Sequence, residues 1–304
     1  MPSRHAARPA PVDPPAGPAT VDLHSHTRRS DGLLEPHELV EAAAAAGVRT
    51  LAISDHDTIA AYRELTAPGG PDLPPGLELV CAIEINAIGA ALGPGVETHL
   101  LGYGMDPADP AFEATLARQR GARRVRFERM AARLRALGLG IDAELEAMGP
   151  FGDDALGRPT IARALIAAGH ATSVEDAFER LLSWGRPAYV ARDGLGPREA
   201  IAAIRAAGGL ASLAHDPAAA DHVAAIRDLR EAGLRGLEVF HRSFDDAARA
   251  ATGAVAAELG LVRTGGTDYH GDVGTYAEAL AELVIDPAVA TDLRAALGVP
   301  SGRP

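Results

Sequence analysis

From Thr20 onward, short β-branched or apolar runs alternate with alanine-rich stretches whose apolar positions recur at helical spacing. The runs predict strands at Val21–His24, Thr50–Ser54, Leu77–Ile85, His99–Tyr103, Leu210–Ala214, Leu237–Phe240 and Leu261–Thr264. Helices are predicted at Pro36–Ala46, Arg198–Ala207, Asp221–Ala232 and Asp245–Leu259, followed by Gly47, Gly208, Gly233 and Gly260 as C-cap residues. Continuous apolar strands alternating with helices predict a parallel sheet covered on both faces. Seven strands without a glycine-rich dinucleotide fingerprint favour an α/β barrel over an open doubly wound sheet.

The rhythm breaks between about 106 and 195, where the pattern predicts helices at Pro110–Leu137, Pro159–Ala168 and Ser173–Ser183. The expected organisation is therefore a barrel formed by 20–105 and 196–304, with 106–195 inserted as a helical element over one mouth. Residues 1–19 carry six prolines and no apolar core, so they are expected to be a disordered tail rather than a signal peptide.

Composition narrows the chemistry. The chain has 304 residues and a net charge of −12, so tight binding of long nucleic acid by charge alone is not expected. No apolar run approaches the roughly 18 residues of a membrane helix. A single cysteine, Cys81, lies inside an apolar strand and excludes a disulfide framework, which suits a reducing cytoplasm. All 29 Lys+Arg residues are arginine. Without lysine, Schiff-base chemistry, P-loop phosphate binding and metal sites bridged by a carboxylated lysine are excluded.

The 11 histidines are distributed unevenly. His24 and His26 form H-x-H at the end of the first strand, followed by Asp31 in HTRRSDG; His56 follows the second strand in SDHD. Glu84 lies near the end of the third strand, His99 opens the fourth, and His215 ends the fifth in LAHD. Asp268 and His270 form D-x-H after the seventh. At a strand end residues i and i+2 point the same way, so H-x-H and D-x-H each aim two donors into one cavity. Nine convergent imidazoles and carboxylates exceed the ligands of one tetrahedral ion, so two or three divalent ions with shared carboxylates are expected. Nitrogen and oxygen donors without thiolate suit manganese, zinc or iron. A lone histidine at a strand end is ordinarily a hydrogen-bonded polar residue; the joint placement of these nine is what points to metal. His5, His37, His170 and His222 read as surface residues, whereas His241, following the sixth strand in LEVFH, is a candidate proton donor.

These motifs, VDLHSH with SDG, ISDHD, EIN followed by H-L-L-G, and AHD with GGTDYH, resemble the PHP (polymerase and histidinol phosphatase) family over roughly Thr20 to Ile285. The stretches GRPTIARALI, Ala177–Val190 and AIRAAGGLASLAH resemble stand-alone members that act on nucleoside 3′,5′-bisphosphates or on the 5′ ends of short RNA. The resemblance implies a distorted seven-stranded barrel and a three-metal centre. It implies a first ion on His24, His26, Glu84 and Asp268, a second on Asp31, His56 and His270, and a third on His99 and His215 with Glu84 bridging. One departure is visible, because Asp216 stands where the family commonly has proline directly after the histidine.

The reaction expected of such a centre is in-line attack on phosphorus by a hydroxide bridging two ions, which neutralise the phosphoryl oxygens. With lysine absent, a second phosphate must be held by arginine. Arg158, at a helix start, leads, with Arg186 and Arg192 flanking Tyr189–Val190. The eight arginines between Arg118 and Arg135 read first as a solvated helix face and second as a track for short single-stranded RNA or DNA. The expected partner is thus a small phosphorylated nucleotide, with no membrane and no obligate protein partner. Competing readings are a C–N hydrolase of the amidohydrolase kind, a histidinol-phosphate-type phosphatase, and a non-catalytic module that holds fewer than two ions.

Overall fold

The computed structural model describes residues 19–89, 91–93, 98–148, 156–191, 193–271 and 274–299. The tail expected before Thr20 therefore lies almost wholly outside the described residues, and so does Arg192. Seven strands lie side by side in chain order: β1 (Val21–Asp22), β2 (Thr50–Ile53), β3 (Glu78–Ala87), β4 (Thr98–Tyr103), β5 (Leu210–Leu213), β6 (Gly236–His241) and β7 (Val262–Gly266). The ring closes between its first and last members. Leu23 N–H donates to Gly265 O at 3.0 Å, His26 N–H to Tyr269 O at 2.9 Å and Asp268 N–H to His24 O at 2.7 Å. Gly266 makes this approach possible, since a Cβ there would stand 2.3 Å from His24 N and 2.6 Å from an Asp22 carboxylate oxygen.

One expectation is corrected. The sheet is not wholly parallel, because β4 runs antiparallel to both β3 and β5. Ten residues separate β3 from β4, fewer than the dozen or so that a parallel crossover needs. Reversing β4 has a chemical consequence: its first turn of chain, with His99, emerges at the mouth where the other strands end.

Helices α1 (Pro36–Ala45), α2 (Ala60–Thr66), α7 (Pro197–Ala206), α8 (Val223–Glu231), α9 (Asp246–Leu259), α10 (Tyr276–Glu282) and α11 (Ala288–Leu297) surround the barrel. The glycines following α1, α7, α8 and α9 all adopt positive φ, as C-caps do. Leu23, Leu51, Ile53, Ile83, Ile85 and Leu100, each at most 2% exposed, help fill one continuous core. Each such side chain contributes about 1.5–3 kcal/mol of burial.

Between β4 and α7 lie α3 (Pro110–Ala136), α4 (Asp142–Ala147), α5 (Arg158–Ala167), α6 (Val174–Ala177) and a π-turn, Phe178–Leu182. Asp109 caps α3, its Oδ1 accepting from Ala111 N and Phe112 N, and Pro110 occupies the first helical position. The helix spans two apolar clusters. Phe112 and Leu116 belong to the barrel core, whereas Phe127, Met130 and Leu134 join Ile161, Leu165 and Leu182 in a second one. The same face carries Arg123, only 7% exposed.

Candidate metal centre

The strand ends and the loops just beyond them bring all nine predicted donors to one mouth of the barrel. Glu84, near the end of β3 and 1% exposed, is the hub. Its Oε2 lies 3.3, 3.2 and 3.1 Å from ring nitrogens of His24, His26 and His56. Its Oε1 lies 2.7 and 3.2 Å from His99 Nδ1 and His215 Nε2. Asp268 Oδ1 stands 3.2 Å from Nε2 of both His24 and His26, and Asp31 Oδ1 stands 3.3 Å from His270 Nε2. Three sets of donor atoms, each within 4.8 Å of one another, result: His24, His26, Glu84 and Asp268; His26, Asp31, His56 and His270; Glu84, His99 and His215. The second set differs from the expected one by including His26, whose ring stacks 4.0 Å from that of His270.

The donors are oriented from behind. His24 Nδ1 donates to Glu238 at 3.0 Å, which leaves Nε2 to face Glu84 and Asp268. Glu238 also accepts from His215 N–H at 2.7 Å. His270 Nδ1 donates to the carbonyl of Asp268 at 3.0 Å, again leaving Nε2 inward. Beneath them Asp22 accepts from His24 N–H, Thr267 N–H, Thr267 Oγ1 and Tyr276 Oη. Asp55 pins the first loop through Thr27 N–H, Thr27 Oγ1 and Ser30 Oγ. Sequence reasoning missed Glu238, Asp22 and Asp55. The signal was an acid inside an apolar run, as in G-L-E-V-F, where a buried carboxylate must find donors.

Backbone strain concentrates at the same rim. Asp57, His215 and Asp268 are non-glycine residues at φ of 58°, 25° and 50°. Each such residue costs of order 1 kcal/mol or more and persists only where its surroundings impose it.

The donor set fits divalent cations. Both ring nitrogens of His26, Nδ1 of His56 and Oδ1 of Asp31 are buried and make no hydrogen bond among the described residues. Burial resists the charge on Glu84, yet the facing His56, His99 and His24 hold its carboxyl well below the usual range. Asp268 and Asp31 are likewise held well below it, against burial, by His24 and His56 foremost. The histidines respond in kind. Burial opposes protonation of His270, but Asp268 and Asp31 push it up to about 10. Glu238, Asp268 and Glu84 outweigh burial to raise His24 well above its ordinary value. His56 goes the other way, as burial outweighs Asp31 and Glu84 and takes it down to about 3. Such a nest of anionic charge is neutralised by protons or by metal cations.

Above the cluster opens a cleft bounded by Asp31, His56 and His99 on the barrel side. The opposite wall comes from the inserted helices: Arg123, Arg126, Phe127 and Met130 of α3, Arg158 and Ile161 of α5, and Phe178. Arg158 lies over the Phe178 ring at 5.2 Å. The arginine run thus divides by helical face. Arg118, Arg124, Arg129, Arg133 and Arg135 are exposed, whereas Arg123 and Arg126 look onto the cleft. Arg123 Nη2 donates to Asp57 Oδ2 at 2.6 Å, tying α3 to the loop after β2. Arg126 Nε donates to Val190 O at 2.9 Å. Arg186 is exposed and does not line this cleft.

His241 ends β6 with Nε2 3.5 Å from Asp268 Oδ2. Ser243 N–H donates to its Nδ1 at 3.2 Å, so in the neutral ring the proton resides on Nε2. His222 pairs through Nδ1 with Asp216 Oδ2 at 2.8 Å. Asp216 also caps Ala218 N–H, which is how the chain uses the residue that replaces the usual proline.

A seven-stranded barrel with this imidazole and carboxylate centre at its mouth defines a metal-dependent phosphoesterase, a hydrolase of phosphoric esters. The chain belongs to the PHP family. The profile of the PHP domain matches residues 22–122. The chain is 32% identical over 259 residues to the 3′,5′-nucleoside bisphosphate phosphatase of Chromobacterium violaceum, an alignment covering 83% of this chain and 87% of that protein. It is 34% identical over 194 residues to the 5′-3′ exoribonuclease of Haemophilus influenzae, covering 64% of this chain and 68% of the relative. A crystal structure from Bifidobacterium adolescentis, assigned as a metal-dependent phosphoesterase, superposes with a TM-score of 0.77 at 32% identity. That alignment covers 93% of this chain and 97% of the other. No helix among the described residues is long and apolar enough to cross a membrane.

Proposed function

We propose that the chain hydrolyses phosphate esters of small nucleotides, either nucleoside 3′,5′-bisphosphates or the 5′ ends of short oligonucleotides. The observation that carries this reading is the cleft. Its floor is formed by Asp31, His56 and His99 of the donor cluster, and its wall combines guanidinium groups with the rings of Phe127 and Phe178. A phosphate fits the first, a second phosphate the guanidinium groups, and a base the apolar wall. The relatives that act on nucleoside bisphosphates and RNA support the same substrate class.

In this reading the three donor sets hold two or three divalent ions, with manganese, zinc and iron all suited to the nitrogen and oxygen donors. Bound there, the ions supply Lewis acidity that activates water and neutralises the phosphoryl oxygens. The protein supplies position. Glu84 holds the sets together through its two oxygens, and Glu238 keeps His24 in the tautomer that presents Nε2. Arg158 and Arg126 bind the distal phosphate. His241 presents an Nε2–H at the rim, directed by Ser243, where it can donate a hydrogen bond to a leaving oxygen. The insertion 106–195 acts as a cap that narrows access to the cluster. Arg186, exposed and outside the cleft lining, is reserved for substrate extending beyond the cleft.

The test is to load purified protein with manganese and offer adenosine 3′,5′-bisphosphate and a 5′-phosphorylated RNA tetramer. Release of inorganic phosphate from the first, or stepwise release of mononucleotides from the second, supports the reading. Failure of both substrates in a preparation shown to hold at least two ions per chain would remove the nucleotide assignment.

A further inference from the structure

Trp184 is the one tryptophan of the chain, and it is 79% exposed. Aromatic residues make up only 4% of the sequence, and a large indole left in water gains nothing for the fold. Its position sets it apart from the other exposed apolar side chains. The π-turn begins at Phe178, a residue of the cleft wall, and closes when Ser183 N–H donates to Phe178 O at 2.9 Å. A π-turn inserts an extra residue into a helical turn and is frequent at functional sites. The next turn is closed by Arg186 N–H donating to Ser183 O at 3.0 Å, and Trp184 sits inside it. The indole therefore stands one residue from a backbone hydrogen-bonded to the cleft wall. Arg186, exposed in the same turn, adds a cation beside it. This pairing of an exposed flat ring with a guanidinium is the chemistry that holds single-stranded nucleic acid, by stacking on a base and contact with a phosphate.

We infer that Trp184 and Arg186 form an outer subsite that stacks a base and contacts a phosphate of the nucleotide beyond the one in the cleft, so that the preferred substrate is a single-stranded oligonucleotide rather than a mononucleotide. The inference rests on the nucleotide reading of the metal centre. It also gives Arg186 a place that the cleft itself does not.

The only tryptophan is its own reporter. The full-length, metal-loaded protein is titrated with a 5′-phosphorylated, phosphorothioate-linked RNA tetramer and separately with adenosine 3′,5′-bisphosphate, while tryptophan emission is followed. Quenching by the tetramer and not by the bisphosphate is expected. In turnover, Trp184→Ala is expected to lower kcat/KM for the unmodified tetramer relative to the bisphosphate by about 10-fold, through KM, with Trp184→Phe restoring most of it. A tetramer that binds and is cleaved with unchanged emission, and an unchanged substrate ratio in Trp184→Ala, overturns the subsite and leaves the nucleotide reading intact. The same holds if only the bisphosphate is bound and cleaved. Emission that shifts with protein concentration instead, alongside dimer formation in sedimentation, would assign the indole to contact with a second copy of the chain. If neither substrate is turned over, the reading of the centre falls and the subsite with it.

Discussion

Glu238 accepts a hydrogen bond from Nδ1 of His24 at 3.0 Å, and neither side chain has measurable exposure. The carboxylate lies deeper in the barrel than the donors and touches them only from behind. Its effect is to fix one ring and, through His215 N–H, the backbone beneath another. Glu238→Gln keeps the acceptor but not the charge, and is expected to weaken metal binding about 10-fold; Glu238→Ala is expected to weaken it about 100-fold. Competition against a chromophoric chelator measures both. Wild-type affinity in both variants would remove Glu238 from this role.

Gly266 is where β7 meets β1. A methyl group there would overlap His24 N and the Asp22 carboxylate, neither of which has room to retreat. Gly266→Ala is therefore expected to cost about 3 kcal/mol of stability. Urea unfolding of the metal-free protein measures this without contribution from the ions. A wild-type midpoint would mean that the barrel seam can open by several tenths of an ångström without penalty.

How legible this molecule is in its sequence depends on how local each feature is. All seven strands and four of the barrel helices, α1, α7, α8 and α9, follow from apolar periodicity and glycine caps, which are local; α2, α10 and α11 were not predicted. The nine donors were visible because strand ends share a face, a relation that needs no knowledge of which strand neighbours which. His99 illustrates the limit. It opens β4 rather than ending it, and joins the cluster because β4 runs backwards, a property of pairing between Glu84 and Leu101 and their neighbours. The ten-residue link before it, too short for a crossover, carried that information. Glu238 and Asp22 were harder, since a carboxylate within a strand shows its purpose only when its partners, 214 and 245 residues away, are known. The arginine run was legible as a charge pattern but not as a divided face. Which arginines turn inward is decided by where Phe127, Met130 and Leu134 find a core.

Arg158 joins two features of the cleft, the start of α5 and the face of Phe178. If it holds the distal phosphate, Arg158→Ala raises KM for adenosine 3′,5′-bisphosphate about 10-fold and alters kcat little. For p-nitrophenyl phosphate, which has a single phosphate, the change is expected to be much smaller. Equal losses on the two substrates would show that Arg158 shapes the cleft rather than contacting that phosphate.

Asp57 and Arg123 form a buried pair across the junction of barrel and α3, 2.6 Å apart at 0% and 8% side-chain exposure. Removing one partner leaves the other charged and desolvated, at a cost of about 3–5 kcal/mol. Asp57→Asn suits the positive φ at this position, so it isolates the loss of charge from backbone strain. Both Asp57→Asn and Arg123→Met are expected to lower the melting temperature. The double variant is expected to lose less than the sum of the singles. Strict additivity would mean that the pair is not coupled.

The charges of the metal centre predict how pH and metal act together. In the metal-free protein His24, His26 and His270 are raised above 6.5, in the last case to about 10. A raised histidine contributes stability that is complete below about pH 6.5 and is lost as pH rises through its folded value. Asp31, Glu84 and Asp268 are depressed, so their contribution is present above about pH 4 and is lost only as pH falls through their lower values. Between pH 6.5 and 9.5 the metal-free protein should therefore lose stability steadily. Metal reverses this dependence, because it takes the place of the protons and binds more tightly as they leave. The gap in melting temperature between manganese-loaded and chelator-treated protein is expected to widen across that range. Loading at pH 7 should release protons, one from each of the raised histidines that titrates, measurable as a dependence of the calorimetric heat on buffer ionisation enthalpy. A gap that is flat or narrowing with pH, with no proton release, would mean that His24, His26 and His270 are already neutral before the ions arrive.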